Sequence, residues 1–215
     1  MPMLLASGSP RRRELIALMG LPVEACAVEA DESPRPGENG RDLTRRLARQ
    51  KAEAVGQAPG VLVLAADTCV VDGGELLGKP RHAAEARAML ERLRGRQHTV
   101  VTSIAVRAPD GRLLVDTCES RVPMRPYSDQ AIQSYLDSGS PFDKAGGYGI
   151  QDGFEPVEMS AFSDCFANVM GLPLCHATRT LRRLGAEPAS DVPAACAAHT
   201  GYACRVYPAI LRGEA

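Results

Sequence analysis

The sequence predicts an α/β fold, and three observations carry that reading. Apolar runs of four to six residues alternate with longer segments of helical period, the chain opens on a strand, a tight loop and a helix, and two strand-like segments near the middle are joined by a turn sequence. Residues 3–6 read as the first strand. Ser9 stands where it caps the following helix, Pro10 takes the first helical position, Leu15, Leu18 and Met19 form the apolar stripe, and Gly20 ends it. The acidic, Pro- and Gly-rich "VEADESPRPGENG" reads as an exposed loop leading to a helix over 42–55, with Leu43 and Leu47 on its buried side.

"GVLVLAADTCVV" is the clearest buried strand; its apolar run breaks at Asp67 and Thr68, which puts Asp67 at the strand's end. "DGGELLGKP" reads as a hairpin and turn. A helix over 82–94 turns Ala86, Met89, Leu90 and Leu93 to one face. "HTVVTSIAV" and "RLLVDTCESRV", joined by "RAPDG", form an antiparallel pair, and a short helix follows near 129–137. "SGSPFDKAGGYGIQDGF" holds five glycines in seventeen residues; no regular element accounts for it, and such a loop lets backbone approach a ligand. Residues 173–184 form a last helix, so the chain divides into a domain over 1–185 and a Pro-, Ala- and Cys-rich extension over 186–215.

The 215 residues are 45% hydrophobic and 24% charged, enough for one substantial core. Twenty-five basic against twenty-six acidic residues leave a net charge of −1, so no bulk field draws the chain to a nucleic acid polymer or to anionic lipid. No apolar run approaches the roughly 20 residues of a membrane helix, and the first ten residues lack a charged leader. The expectation is a cytoplasmic protein with no membrane contact. Seven cysteines at irregular spacing do not form a secreted disulfide pattern, so reduced thiols are expected.

Arg11, Arg12 and Arg13 begin a helix whose N-terminus is already positive, and each such charge costs about 0.3 to 1 kcal/mol when exposed. Something negative belongs there. A strand-to-helix loop offers free N–H groups, Ser7 and Ser9 add hydroxyls, and the guanidinium forks of Arg11 and Arg12 suit phosphate oxygens, so the candidate ligand is an oligophosphate. No G-x-x-x-x-G-K-[ST] occurs, which excludes a P-loop enzyme. Asp67 is expensive in an apolar strand without a partner and suits a hard cation or a base, with Glu32 as a second oxygen donor. Lys79 in "GKP" and Lys144 in "DKAGG" each place a cation in a Gly-containing loop. Taken singly, a solvated Arg run, a satisfied structural aspartate and a solvated loop lysine are the plainer readings.

In combination, "ASGSPRR", the acidic loop, "RLARQKA", "ADT", "GKP", "MLERLRGRQHTVVT", "DKAGGYGIQ" and "NVMGLP" closely resemble the Maf family of nucleoside triphosphate pyrophosphatases, from about Leu4 to Leu184. The resemblance implies a two-lobed α/β fold with a central twisted mixed sheet flanked by helices and an active-site cleft between the lobes. It also implies hydrolysis of a nucleoside triphosphate, the small-molecule partner, to monophosphate and pyrophosphate with a divalent cation, Mg, Mn or Co. By its motifs the catalytic set is Asp67, Glu32 and Lys79, with Asp67 and Glu32 on the metal and Asp31 as the fallback for Glu32. Ser7, Arg11, Lys51 and Lys79 match phosphate positions, and Lys144 joins the substrate set.

Arg12, Thr68 and Gln151 match the branch that prefers dTTP and UTP, and the Gln151 amide is able to pair with O4 and N3–H of a pyrimidine at once. The 7-methyl-GTP branch, an inosine or xanthosine triphosphate hydrolase lacking "SPRRR", and a non-catalytic nucleotide-binding division regulator are the rival readings; a homodimer stays open. The sequence departs from the family pattern in three places: at Cys69, where a larger aliphatic is usual; at Asp152, where glycine is usual; and at the run Asp164, Cys165 and Phe166, where Gly-Ser-aromatic is usual. In the extension the apolar "HTGYACRVYPAIL" is expected to dock on the body. Cys165, Cys175, Cys196 and Cys204 read as packed thiols, with a zinc ion, an iron–sulfur cluster or a disulfide as alternatives.

Overall fold

The computed structural model describes residues 1–56 and 58–214. Its centre is one mixed sheet of β1 (Met3–Ala6), β2 (Val23–Cys26), β3 (Leu62–Asp72), β4 (Glu75–Leu77), β5 (Gln97–Arg107) and β6 (Leu113–Pro123). The order is β2-β1-β3-β5-β6, with β4 also paired to β3. β1 runs parallel to both β2 and β3, while β3, β5 and β6 are antiparallel. The helices are α1 (Pro10–Ala17), α2 (Gly40–Ala54), α3 (Ala83–Leu93), α4 (Asp129–Asp137), α5 (Phe166–Val169), α6 (Leu174–Arg183), α7 (Val192–Thr200) and α8 (Tyr207–Arg212). Two 3₁₀ turns, Ser140–Asp143 and Ala145–Gly147, lie in the Gly-rich loop that no regular element was expected to fill.

Alternation along β3 divides the interior in two. Val63 and Ala65 meet Ala48 and Ala52 of α2 on one face, with Cys69 beside Leu43 and Leu47. The small thiol at 69 is therefore filled around by α2, and its Sγ lies 3.6 Å from the Gly40 carbonyl. Leu62, Leu64 and Ile104 face the larger core on the opposite side, with Leu15 and Ile16 of α1, Leu90 and Leu93 of α3 and Leu181 of α6.

Several expectations are corrected. β3 does not stop at Asp67: it continues to Asp72, and Asp67 sits mid-strand opposite Ser103. The polar pair is tolerated because β1 covers residues 62–64 and β4 covers residues 70–72 of the same edge, leaving the stretch between them without a neighbour there. That gap opens the cleft. β2 is an addition, lying before the expected loop in a stretch given no element, since an edge strand with Glu24 in it shows no apolar run. Ser9 occupies the N-cap of α1 but makes no side-chain cap, and Ile16 rather than Leu18 completes the buried stripe.

The helix over 174–183 is not the last. α7, capped by Asp191 and opened by Pro193, and α8 both pack on α6. Val192 and Ile210 are buried, and Tyr202 stacks on Phe166 with centroids 5.6 Å apart, so the extension closes the far end of the core. Ala189 N–H donates to the Met19 carbonyl at 3.0 Å, which ties the extension's start to the end of α1. Among the described residues no helix is long and apolar enough to cross a membrane.

Candidate active site

The gap in the β3 edge is the floor of a cleft of about 640 Å³, a size suited to one small ligand. The loop before α1 forms one wall and the Gly-rich segment around 143–151 another. Asp67 points to the α2 side of the sheet, where Lys51 waits: Lys51 Nζ donates to Asp67 Oδ1 at 2.7 Å and to Glu32 Oε1 at 2.6 Å. One buried ammonium thus bridges both candidate carboxylates. Asp31 instead turns into its own loop and accepts from the Ser33 N–H at 3.0 Å.

The two carboxyls have opposite environments. Burial pushes Asp67 up from the usual carboxylate range, against the pull of Lys51 and Arg12. Burial acts the same way, more weakly, on Glu32 at the exposed rim, but there the Lys51 hydrogen bond and charge, with help from Lys79 and Arg12, prevail and hold it low. The two environments thus drive the carboxyls apart, Asp67 upward and Glu32 downward.

Thr68 projects to the other face, where Arg12 is firmly tied. Its Nε donates to the Gly171 carbonyl at 2.8 Å, its Nη2 to Thr68 Oγ1 at 3.0 Å, and its Nη1 lies 3.5 Å from Ser7 Oγ. Gly171 holds φ +105°, which only glycine adopts at ease, so its carbonyl is aimed by the turn after α5. Ser7 Oγ accepts the Ser9 N–H at 3.2 Å. Among the described residues nothing accepts from the Arg11 and Arg12 amides, which leaves the start of α1 open to an anion.

Arg11 reaches the opposite wall, donating to Asp143 Oδ2 at 2.6 Å and to its carbonyl at 3.1 Å. Lys144 is buried against that wall, donating to the Ser140 carbonyl at 2.6 Å and to Asp143 Oδ1 at 2.7 Å. It holds the loop rather than projecting freely. Lys79 is exposed on the cleft, and among the described residues no hydrogen bond or ion pair holds it. The hinge between these loops is short: Gly146 N–H donates to the Gly78 carbonyl at 3.0 Å. Gln151 lines the cleft, exposed, with its Nε2 on Asp152 Oδ1 at 3.1 Å.

All ten expected site residues therefore border one cleft or its wall, and the roles of Arg12 and Lys144 are more heavily built in than their sequence context implied. Sequence reasoning missed Asp143, Asp152 as a partner, and the Gly171 carbonyl. The first two carried the signal of acid beside a Gly-rich loop; a backbone carbonyl carries none.

The sequence that builds this cleft matches a known family. The family description "Maf-like protein" matches residues 2–184. The chain belongs to the Maf-like family. Curated relatives include the dTTP/UTP pyrophosphatase of Hahella chejuensis, 46% identical over 193 residues, with 88% of this chain and 95% of the relative covered. The dTTP/UTP pyrophosphatase of Chromobacterium violaceum is also 46% identical, over 189 residues, covering 85% and 94%. Among solved structures, a nucleoside-triphosphatase/dITP/XTP pyrophosphatase from Mycobacterium abscessus aligns at TM-score 0.41 and 18% identity, covering 86% and 94%, too distant to bear on this site.

The Maf-like match ends one residue before Gly185, so the extension lies outside it. Cys165, Cys175, Cys196 and Cys204 border one small apolar cavity there with Phe166 and Leu174, and all seven cysteines are free. Among the described residues no three His, Cys, Asp or Glu side chains are grouped to hold a metal.

Proposed function

We propose that this Maf-like protein hydrolyses nucleoside triphosphates, dTTP and UTP foremost, to monophosphate and pyrophosphate. The observation that carries the reading is the Lys51-bridged Asp67/Glu32 pair set across one cleft from the open start of α1, Arg11 and Lys79. The names of the two relatives above support the reaction and the pyrimidine preference.

A divalent cation fits the carboxylates. Each gives one oxygen to Lys51, and among the described residues the other oxygen of each has no protein donor. Two hard oxygens without a third protein ligand suit an ion such as Mg that keeps water and substrate phosphate in its shell. Glu32 and Asp67 would hold Mg, Mn or Co, which would supply charge neutralisation at the phosphates and a more acidic water. Asp67, the carboxyl raised by burial, takes the proton of the water that attacks the α-phosphorus. The bond from that phosphorus to the bridging oxygen breaks, and pyrophosphate leaves onto Arg11, Lys79 and the α1 amides. Ser7 keeps the strand-to-helix loop in shape through Ser9, and Arg12 with Thr68 fixes the wall beneath the nucleoside. Gln151 presents its amide to the base. The free thiols support a cytoplasmic setting.

Purified protein with a divalent cation and a panel of dTTP, UTP, CTP, ATP, GTP and 7-methyl-GTP tests this. Pyrophosphate release fastest from dTTP and UTP is expected. Stepwise orthophosphate release overturns the mechanism; a preference for 7-methyl-GTP overturns only the specificity.

A further inference from the structure

Asp152 belongs to a chain of hydrogen bonds whose direction is fixed at one end by a backbone amide. Gly149 N–H is able only to donate, and it donates to the Tyr135 hydroxyl oxygen at 3.1 Å. The Tyr135 proton is thereby turned to its other partner, Asp152 Oδ2. Lys144 Nζ stands 3.4 Å from the same oxygen, so Oδ2 is an acceptor on two counts. The second oxygen, Oδ1, meets the Gln151 amide. A carboxylate only accepts, so Gln151 must present its nitrogen to Asp152 and its oxygen on the other branch. The packing leaves no slack: a Cβ on Gly149 would lie 2.6 Å from Asp152 Oδ1.

A free glutamine amide reads two kinds of pyrimidine. In one orientation its oxygen accepts from N3–H and its nitrogen donates to O4, which suits uracil and thymine; rotated by half a turn, it pairs with N3 and the 4-amino group of cytosine in the same pose. We propose that Asp152 removes this ambiguity, holding Gln151 in the orientation that reads a 4-oxo pyrimidine and rejects a 4-amino one. Asp152 is a positioning residue, acting on the base through Gln151. One amide hydrogen is spent on Asp152, and the other, beside the oxygen, stays on the base-pairing edge. The inference rests on the reading of Gln151 as the base contact.

The chemistry makes a sharp demand of Asp152→Asn. Tyr135 and Lys144 both face the Oδ2 position, so an amide there turns its oxygen to them and its NH₂ to Gln151. Gln151 must then answer with oxygen, which is the orientation that reads cytosine. The expected result is a fall in the UTP-to-CTP ratio of kcat/KM by about tenfold or more, the scale of one charge-assisted hydrogen bond, with CTP turnover rising. Asp152→Gly frees the amide without offering a new partner and is expected to level the ratio without inverting it. Adding Asp152→Asn to Gln151→Ala is expected to change nothing further in the ratio.

The ratio is measured by pyrophosphate release for each variant, with thermal unfolding to confirm a native fold. A ratio left unchanged by both Asp152 substitutions, or altered equally with and without Gln151, overturns the inference while Gln151→Ala still lowers the ratio. If Gln151→Ala itself leaves the ratio intact, the base-contact reading fails and this inference with it.

Discussion

Lys51 Nζ and Asp67 Oδ1 are 2.7 Å apart, both buried, although one belongs to a helix and the other to the middle of a largely apolar strand of 11 residues. A carboxylate and an ammonium out of water sustain each other, and Glu32 shares the charge from the rim. Asp67→Asn keeps the shape and leaves Lys51 its partner in Glu32. Turnover is expected to fall about 10²-fold or more, the usual loss for an acid–base group, with little change in the unfolding midpoint. Steady-state pyrophosphate release beside thermal unfolding checks it; a near-normal rate makes Asp67 structural.

Lys79 and Arg11 separate free from engaged cations. Lys79 has no hydrogen bond or ion pair among the described residues, so Lys79→Ala is expected to weaken pyrophosphate and triphosphate binding by roughly 1.5 to 3 kcal/mol without touching stability. Arg11 is tied across the cleft to Asp143, so Arg11→Ala is expected to weaken binding and also to loosen the Gly-rich loop. Calorimetric titration with pyrophosphate and limited proteolysis near residues 138–152 distinguish the two. Unchanged affinity in both variants returns the Arg run to a solvated face.

What the sequence revealed follows from where the physics is local. The strand before Ser7, the α2 and α3 faces and the β5–β6 pair are legible because Leu43, Leu47, Leu90 and Leu93, and the alternation around Ile104, are set by burial over a few residues. β2 and the continuation of β3 past Asp67 were not, because pairing to β1 in one case and a gap between β1 and β4 in the other are tertiary facts. The same holds within the site. Residue types announced Asp67, Lys79 and the Arg run, whereas the Lys51 bridge, the Gly171 carbonyl on Arg12 and the direction of the Gly149–Tyr135–Asp152 chain exist only once distant segments meet.

Two buried histidines make stability depend on pH. Burial drives His98 down to about 4, with its Nε2 on the Tyr148 hydroxyl at 2.6 Å, and burial likewise lowers His176. Above about 6.5 both are neutral folded or unfolded and contribute no slope. As pH falls from about 6.5 to about 4, the unfolded chain takes up protons that the folded one refuses, and stability is lost at about 1.4 kcal/mol per pH unit per group. Urea midpoints measured across that window are expected to decline, and less steeply on replacing His176, whose Nδ1 has no hydrogen-bond partner among the described residues, in the variant His176→Leu. A flat profile in the native chain rejects the buried neutral histidines.

The extension offers the last test, because its thiols and its aromatic anchor report the same packing. Tyr202 rests on Phe162 and Phe166, and Cys196 and Cys204 join Cys165 and Cys175 around one apolar cavity. Burial pushes Cys196 up to about 12 and raises Cys175 and Cys204 as well, so in the folded state their thiolate fraction at pH 8 is small. A thiol reagent is expected to react slowly with these cysteines in native protein and quickly once urea unfolds it. Tyr202→Ala removes two ring contacts and leaves a void, which in cores costs about 2 to 5 kcal/mol, and it should raise native thiol reactivity in parallel with a lower unfolding midpoint. Packing also predicts preparations with neither zinc nor iron and sulfide, and full recovery of reduced thiols after unfolding. Stoichiometric metal that disappears in a Cys196→Ser, Cys204→Ser double variant replaces the packed-thiol reading with a metal site, since only ligation would make the thiols unreactive and metal-bound together.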